Sequence, residues 1–368
     1  MPKSDQHKPD GYFFIKVRIL IIHLQTMKRL IFLYLVAFTF YFPCKSKNPI
    51  KPIYTDYSLK LIEESLNPLI DQTHPASAGN IKGYEGGTVF VKDDIFQMFV
   101  TEEINGWVGT QFGYWQSKDG LAWQKISTIQ KSSENPNDPR SALWSPMPFF
   151  NKNEGRWNMF YVGYEKDGVT NGRIFRAIST SNGIDGLAGP YTDVPGTVLS
   201  YTDENKDPWE GSQGAAAFYV YQVGSKWYGF YASGDSKSRW DEGLATADSL
   251  EGKWIRDDNP NPTLTYSENP IVNKLTDGSF FCVFDDIAHG EASSTIGYAY
   301  SIDGINWKQK FLKIPMPKWA VNIRTPQGMI PIKDDYYWIY FTAQTPSGFD
   351  CVGRMKVKLI KTMISASN

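Results

Sequence analysis

The chain has 368 residues and a formal net charge of −1, and 15 % of its residues are aromatic. This balanced charge offers no basic face to a nucleic acid, so we expect no nucleic-acid partner. The 31 glycines and 22 prolines punctuate short apolar runs, a mixture typical of many short strands joined by tight turns.

The N-terminal part of the chain contains a targeting pattern. The basic start Met27-Lys28-Arg29 precedes an almost entirely apolar run over residues 30–43, and Cys44 follows it. This order predicts a bacterial lipoprotein signal peptide with Cys44 as the lipidated residue. The apolar run is shorter than the ~20 residues that span a bilayer, and a short membrane anchor is the alternative interpretation.

This pattern predicts a signal segment over residues 1–44, a Lys- and Pro-rich tether over 45–57 and a folded domain over 58–362. Met27 is an alternative start. Lipidation would attach the protein to the membrane of a bacterial cell envelope, on the periplasmic side because no acidic residue closely follows Cys44. Cys282 and Cys351 lie in apolar, strand-like runs and are expected to be buried thiols rather than a disulfide.

A supersecondary unit recurs along the chain every ~55–70 residues. Each unit begins with a polar junction before a short apolar strand and continues through an aromatic-rich strand to a third strand that ends in a Gly-containing turn. The five units open at Glu85, Trp144, Glu210, Glu268 and Arg324. Five antiparallel sheets in series predict an all-β protein with a five-bladed β-propeller. A β-sandwich is the alternative, but it would not require five near-equal units.

The propeller interpretation places residues on two faces. The last unit lacks an outer strand after Ile360, so a segment at residues 59–62 or 67–70 should supply it and close the ring. The start of the first strand and the end of the second lie at the same end of a blade. The five opening residues should therefore converge at one mouth of the channel, and the turns at Asp119 and Asp303 should lie on the other face.

The stretch Trp209-Glu210-Gly211 places a carboxyl beside an indole. Desolvation against the indole would favour the protonated carboxyl, which a general acid requires. A solvated loop glutamate is the alternative for an isolated Glu-Gly. The recurrence of similar junctions along the chain favours the catalytic interpretation.

With these residues the chain resembles the five-bladed propeller glycosidases, chiefly the family 43 glycoside hydrolases and their family 32 and family 117 relatives. The resemblance covers residues 67–360 and rests on Asn67-Pro68-Leu69-Ile70, Trp144-Ser145-Pro146, Glu210-Gly211 and the Ser-x-Asp-Gly-x-x-Trp turns. It implies hydrolysis of a glycosidic bond in a plant or algal poly- or oligosaccharide by two carboxyl groups at the propeller mouth.

The resemblance also implies roles for individual residues. Glu210 matches the acid of family 43, whereas Glu85 stands where the family has its base Asp and Met147 where it has a further Asp beside the acid. For the pair of catalytic carboxyls, a closer analogy than family 43 is the group of propeller glycosidases that use two Glu residues, such as the β-L-arabinofuranosidases of a distinct family. We expect Glu210 as general acid facing Glu85 as base or nucleophile, with Glu268 in reserve for either role.

The other candidates would bind the sugar or tune the acid, and each could instead pack at the rim. They are Trp144, Trp209, Gln213, Asp285, Asp286, His289, Arg324 and Gln327. Trp144 would offer a stacking face, and Arg324 and Gln327 would orient hydroxyls or a carboxylate.

Other chemistries have little support. The chain has four His and no His/Cys ligand spacing, which argues against a zinc enzyme, and it has no phosphate-binding Gly-rich loop. Propeller relatives sometimes hold Ca²⁺ in the channel, but no loop here has the pattern of such a site, so we expect no cofactor. The alternative functions are a non-catalytic carbohydrate-binding lipoprotein and a propeller for protein interaction.

Overall fold

The computed structural model describes residues 53–365 except 134, 166–169, 235–239, 258–260 and 287–294. The signal segment with Cys44, most of the tether and His289 lie outside the described residues. Residues Tyr57–Thr362 form one compact unit. No helix among the described residues has the length and apolar character needed to cross a membrane.

The strands form five separate antiparallel sheets. Blade 1 consists of β2 (Tyr84–Lys92), β3 (Ile95–Glu102), β4 (Gln111–Ser117) and β5 (Gln124–Lys131). Blade 2 consists of β6 (Ala142–Asn151), β7 (Arg156–Tyr164), β8 (Arg173–Ser179), β9 (Tyr191–Asp193) and β10 (Leu199–Ser200). Blade 3 consists of β11 (Ala216–Val223), β12 (Lys226–Gly234), β13 (Trp240–Ala247), β14 (Ile255–Arg256) and β15 (Leu264–Thr265).

Blade 4 consists of β16 (Ser267–Lys274), β17 (Phe280–Asp286), β18 (Thr295–Ser301) and β19 (Lys308–Ile314). Blade 5 consists of β20 (Asn322–Lys333), β21 (Tyr336–Gln344), β22 (Asp350–Ser365) and β1 (Ile53–Glu63). Short 3₁₀ helices occur at Pro75–Ser77 and Ile184–Ala188. The five-bladed β-propeller predicted from the repeats is confirmed, and the β-sandwich is wrong.

The ring closes through the first strand of the chain. In the last sheet the strand order is β1-β22-β21-β20, so the outer strand of blade 5 precedes blade 1 in sequence. This confirms the closure expected at residues 59–62. Residues 67–70 contribute only an isolated bridge between Ile70 and Val352. Closure joins the first strand of the chain to its last strand, so both ends of the chain hold the ring together.

The innermost strand of four blades contains a β-bulge just after its opening residue. The register shifts follow Glu85, Trp144, Ala216 and Glu268. The next residue has a positive φ in each case: Gly86 at 65°, Ser145 at 51°, Ala217 at 45° and Asn269 at 55°. The same bulge, with a residue in the left-handed conformation, therefore occurs at the start of these four innermost strands. Since a bulge re-aims the side chain beside it, the residues just before the four bulges occupy equivalent positions around the ring.

This equivalence corrects the predicted start of blade 3. Its opening residue is Ala216, and Glu210 lies in the loop before β11. The Glu210 backbone N–H donates to the Asp207 carbonyl at 3.1 Å, which closes a turn in that loop. Glu210 therefore does not occupy the position held by Glu85 and Glu268 in their own blades.

The bulges of separate blades contact one another. Ser145 Oγ donates to Asn269 Oδ1 at 3.3 Å, and the Gly86 backbone N–H donates to Thr325 Oγ1 at 3.0 Å. Gln327 Nε2 donates to the Gly86 carbonyl at 2.9 Å. The Ser145 backbone N–H also donates to Thr101 Oγ1 of blade 1 at 3.0 Å, so these bonds bring the start of blades 1, 2, 4 and 5 together, where Glu85, Trp144, Glu268 and Arg324 lie.

Apolar side chains fill the sheets and the spaces between them. The largest cluster runs through blades 2, 3, 4 and 5, and a second joins blade 1 to blade 5. Cys282 and Cys351 are buried free thiols, as predicted.

Candidate functional site

Carboxylates from two blades and one arginine meet at the end of the channel where the innermost strands begin. Glu85 begins the bulge of β2, and Glu268 begins the bulge of β16. Asp285 of β17 is the cross-strand partner of Glu268. Directly opposed residues of an antiparallel pair share a face, so Asp285 and Glu268 are side-chain neighbours. Arg324 lies in β20, in the neighbouring blade 5.

Arg324 holds one oxygen of Glu85. Its Nη2 donates to Glu85 Oε1 at 2.6 Å, and the two side chains are 31 % and 12 % exposed. Glu85 Oε2 accepts no hydrogen bond from the described residues. The negative charge of Glu85 raises the pKa of Arg324 further, so the guanidinium stays charged and stabilises the Glu85 anion.

Glu268 has the opposite environment. Burial of its carboxyl, and after it the negative charge of Glu85, raises the pKa of Glu268 to about 8, against the opposing charge of Arg324. Part of the Glu268 residue still reaches solvent. Glu268 is therefore mostly protonated at neutral pH and accessible from the mouth. Two carboxyl groups in different protonation states are what acid–base chemistry requires.

Buried acids surround Glu268. Burial, and then the charge of Glu268, raises the pKa of both Asp285 and Glu242 well above their ordinary values. Glu242 is 0 % exposed, and neither of its carboxyl oxygens has a hydrogen-bond partner among the described residues. The charge of Glu268 thus contributes to the raised pKa of both neighbours, whereas the raised pKa of Glu268 itself comes from burial and from Glu85. Asp286 is also buried.

A third group of carboxyls lies behind Glu85. One oxygen each from Glu85, Glu103 and Asp350 lie within 4.8 Å of one another. Burial, and then the charge of Glu85, raises the pKa of Glu103 to about 9 and that of Asp350 to about 7. Lys82 Nζ lies 3.8 Å from Glu103 Oε2. Lys82 and Arg324 supply positive charge beside these carboxyls.

Glu210 lies in a separate ion-pair network. Arg256 binds both of its carboxylate oxygens, with Nη2 at 2.9 Å from Oε2. Tyr231 Oη and the Asp207 backbone N–H each donate to Oε1 at 3.0 Å. The side chains of Glu210 and Arg256 are 0 % and 3 % exposed. Both oxygens of this buried carboxyl are thus occupied by protein donors, so Glu210 is poorly placed to act on a substrate.

The sequence predicts that Trp209 desolvates the Glu210 carboxyl, but the contacts that the structure shows for its side chain are with other residues. Trp209 Nε1 donates to Asp207 Oδ2 at 3.1 Å, and the indole packs against the Tyr231 ring. The energetic cost of burying the Glu210 carboxylate is thus offset by its ion pair with Arg256. Arg256 lies in the short outer strand β14, and nothing in the sequence marked it as a partner of Glu210.

The other sequence candidates differ in how accessible they are. Trp144 is 9 % exposed, so its ring offers little free surface to a sugar, although its Nε1 has no partner among the described residues. Gln327 is 0 % exposed and binds the Gly86 carbonyl. Gln213 is half-buried beside the end of β12, where its backbone N–H donates to the Gly234 carbonyl.

Sequence reasoning missed two acids and one aromatic residue at the mouth. Glu242 and Asp350 lie near the start of third strands, which reach the same end of a blade as the start of the first strand. That rule would have found both. Trp107, in the loop between β3 and β4, is 43 % exposed.

No model of a protein family matches the sequence, and no curated protein matches it. Several solved structures do. The protein BT0996, solved as an RGII complex, shares 16 % identity at a TM-score of 0.66, and the match covers 84 % of this protein and 94 % of BT0996.

A family 117 glycoside hydrolase of the marine bacterium Zobellia galactanivorans shares 14 % identity at a TM-score of 0.57, over 83 % and 91 % of the two chains. A thermostable family-43 glycoside hydrolase shares 14 % identity at a TM-score of 0.53, over 79 % and 96 %. The chain therefore has the five-bladed propeller fold of these glycoside hydrolases.

Proposed function

We propose that this protein is a glycoside hydrolase in which Glu268 is the general acid and Glu85 the base or nucleophile. The observation that carries the proposal is the contrast between these two carboxyls, each of which belongs to a partly exposed residue. Glu85 is bound by Arg324 at 2.6 Å, whereas the pKa of Glu268 is raised to about 8, chiefly by burial. Glycoside hydrolysis needs one ionised and one protonated carboxyl beside the scissile bond. The shared fold of the solved glycoside hydrolases supports this assignment.

The roles follow from the two environments. Glu268 would donate its proton to the glycosidic oxygen as the bond to the leaving group breaks. The Glu85 carboxylate would attack the anomeric carbon or take a proton from water. Arg324, which donates to Oε1, would hold this carboxylate in place. The protein would act on an oligo- or polysaccharide, with Cys44 as the proposed membrane attachment.

The experiment compares Glu268→Gln and Glu85→Gln on activated nitrophenyl glycosides and on matched alkyl glycosides. Glu268→Gln should lose about 100-fold to 10,000-fold in kcat/KM on the alkyl substrates and far less on the activated ones. Glu85→Gln should lose activity on both. The basic limb of the wild-type pH profile should report a pKa of about 8 and disappear in Glu268→Gln.

Glu63→Gln is the control, since Glu63 is exposed on the closing strand β1. Wild-type rates in both active-site variants would contradict the assignment. If the wild type binds glycans but cleaves none across a broad panel, the carbohydrate-binding interpretation replaces it.

A further inference from the structure

An exposed tryptophan and a lysine form a small surface beside the proposed catalytic pair. Trp107 is 43 % exposed, and Lys82 Nζ lies 4.2 Å from its ring centroid. This distance is typical of a cation–π contact, which orders both side chains. The lysine side chain itself is 30 % exposed. The Lys82 ammonium thus lies over one face of the indole, and the rest of the indole surface is open beside this positive charge.

This surface is part of the mouth. Lys82 precedes Glu85 by three residues, so the two lie at most about 10 Å apart along the backbone. The Glu103 backbone N–H donates to the Gly83 carbonyl at 2.9 Å, which fixes the Trp107 loop against the start of blade 1. A sugar ring on Trp107 would therefore lie in the same mouth as the sugar that Glu85 contacts.

The charge of Lys82 is available to a ligand. Its nearest acid is Glu103, at 3.8 Å, and burial raises the pKa of Glu103 to about 9. Glu103 is therefore mostly neutral at pH 7 and does not cancel the lysine charge. Arg324, another cation of the mouth, is engaged by Glu85.

We propose that Trp107 and Lys82 form a substrate subsite for a sugar residue that carries an anionic group, either the carboxylate of a uronic acid or a sulfate ester. The indole face would stack on the sugar ring, and the Lys82 ammonium would bind the anion. This inference rests on the proposed function, because it names the substrate class of the same mouth.

The test measures binding by calorimetry to the Glu268→Gln protein, which is not expected to cleave the probes. The probes are uronic-acid oligosaccharides with their carboxyl-reduced counterparts, and sulfated galactan oligosaccharides with their desulfated counterparts. We expect one anionic probe to bind about 10-fold more tightly than its neutral counterpart, because a hydrogen bond to a charged group is lost in the latter. The two pairs decide between carboxylate and sulfate.

Variants separate the two contributions. Lys82→Met keeps the apolar stem over the ring and should abolish the preference for the anionic probe, whereas Lys82→Arg should retain it. Trp107→Ala should weaken binding of the anionic and neutral probes alike, and Trp107→Phe should weaken it less. Lys118→Ala is the matched control, since Lys118 is exposed in the turn at the other end of blade 1.

Equal affinity for every anionic and neutral pair, or an unchanged preference in Lys82→Met, would overturn the subsite. A binding preference in a protein whose wild type cleaves no glycan would instead overturn the proposed function and leave the subsite standing.

Discussion

The glutamates at positions 85, 268 and 210 owe their different properties to the groups that face their carboxyls. Glu85 is paired with Arg324 through Oε1 only. Burial, and after it the charge of Glu85, raises the pKa of Glu268. Glu210 is bound at both oxygens by Arg256. Sequence reasoning found all three glutamates but put Glu210 first as the acid and Glu268 in reserve, because the partner Arg256 is 46 positions away from Glu210 in the chain.

At the residue scale we predict that Glu210→Gln mainly destabilises the fold. Breaking one side of a buried ion pair leaves the other charge uncompensated, at a cost of about 3 kcal/mol. Asp203 also accepts from Arg256, at 2.9 Å, which limits this cost. Chemical denaturation measures the loss. The fraction that remains folded should keep wild-type selectivity between activated and alkyl glycosides.

Glu165→Gln is the matched control, because the Glu165–Arg173 pair is partly exposed and its loss should cost less than about 1 kcal/mol. A Glu210→Gln protein with unchanged stability and selective loss of alkyl-glycoside hydrolysis would return the acid role to Glu210.

At the scale of single elements, the bulges of the innermost strands position the site. Each bulge needs a left-handed residue, and Gly86 supplies it in blade 1 with a φ of 65°. A Cβ at Gly86 would lie 2.6 Å from Ser145 Oγ, closer than packed atoms allow. The bulge thus sets the position of the Glu85 side chain. It also lets the backbone of blade 1 pack closely against Ser145 of blade 2.

We predict that Gly86→Ala destabilises the protein more than Gly155→Ala and also lowers kcat. Gly155 has a similar φ of 63° but no atom within 4 Å of an added Cβ. Gly155→Ala should therefore cost only the left-handed strain, about 1 kcal/mol. Denaturation and kinetics of the two variants isolate the clash with Ser145. Equal stability losses and equal kcat values would contradict a role for the bulge in placing Glu85.

The sequence predicted the strands and turns of the blades better than the loop before blade 3. The Ser-x-Asp-Gly turns formed as expected, with Asp119 Oδ1 accepting from the backbone of Leu121 at 2.8 Å and Ala122 at 2.9 Å. The loop before β11 has no apolar periodicity, so the start of blade 3 was placed at Glu210 rather than at Ala216. Local turn chemistry is readable from neighbours in sequence, whereas a long loop is not.

At the scale of the whole molecule, the propeller gathers acids from separate blades around one mouth. Arg324 and Glu85 are 239 positions apart, so their contact exists only once the ring has formed. The five repeats predicted the ring and its closure by β1. They could not predict which carboxyls stay protonated, because that depends on burial and charge summed over several blades.

The protonated acids make the stability of the fold depend on pH. The pKa values of Asp350, Glu268 and Glu103 are raised, chiefly by burial, to about 7, 8 and 9. In the unfolded chain these groups release their protons near pH 4, so between there and pH 9 the folded state binds more protons. Stability should therefore fall as pH rises through this window.

We predict that the melting temperature falls steadily from pH 5 to pH 9. In Glu103→Gln the fall should be shallower, because the amide is neutral at every pH; one such group accounts for about 1 kcal/mol per pH unit. Burial alone would raise the pKa of Asp277 and Asp303, but hydrogen bonds to their carboxylates outweigh it and lower both pKa values to about 2. These two groups therefore change the stability only below about pH 4. Differential scanning calorimetry at constant ionic strength measures the slope, and Glu63→Gln, at an exposed site, should leave it unchanged. A melting temperature that rises between pH 5 and pH 8 would show that the mouth acids are ionised in the folded protein.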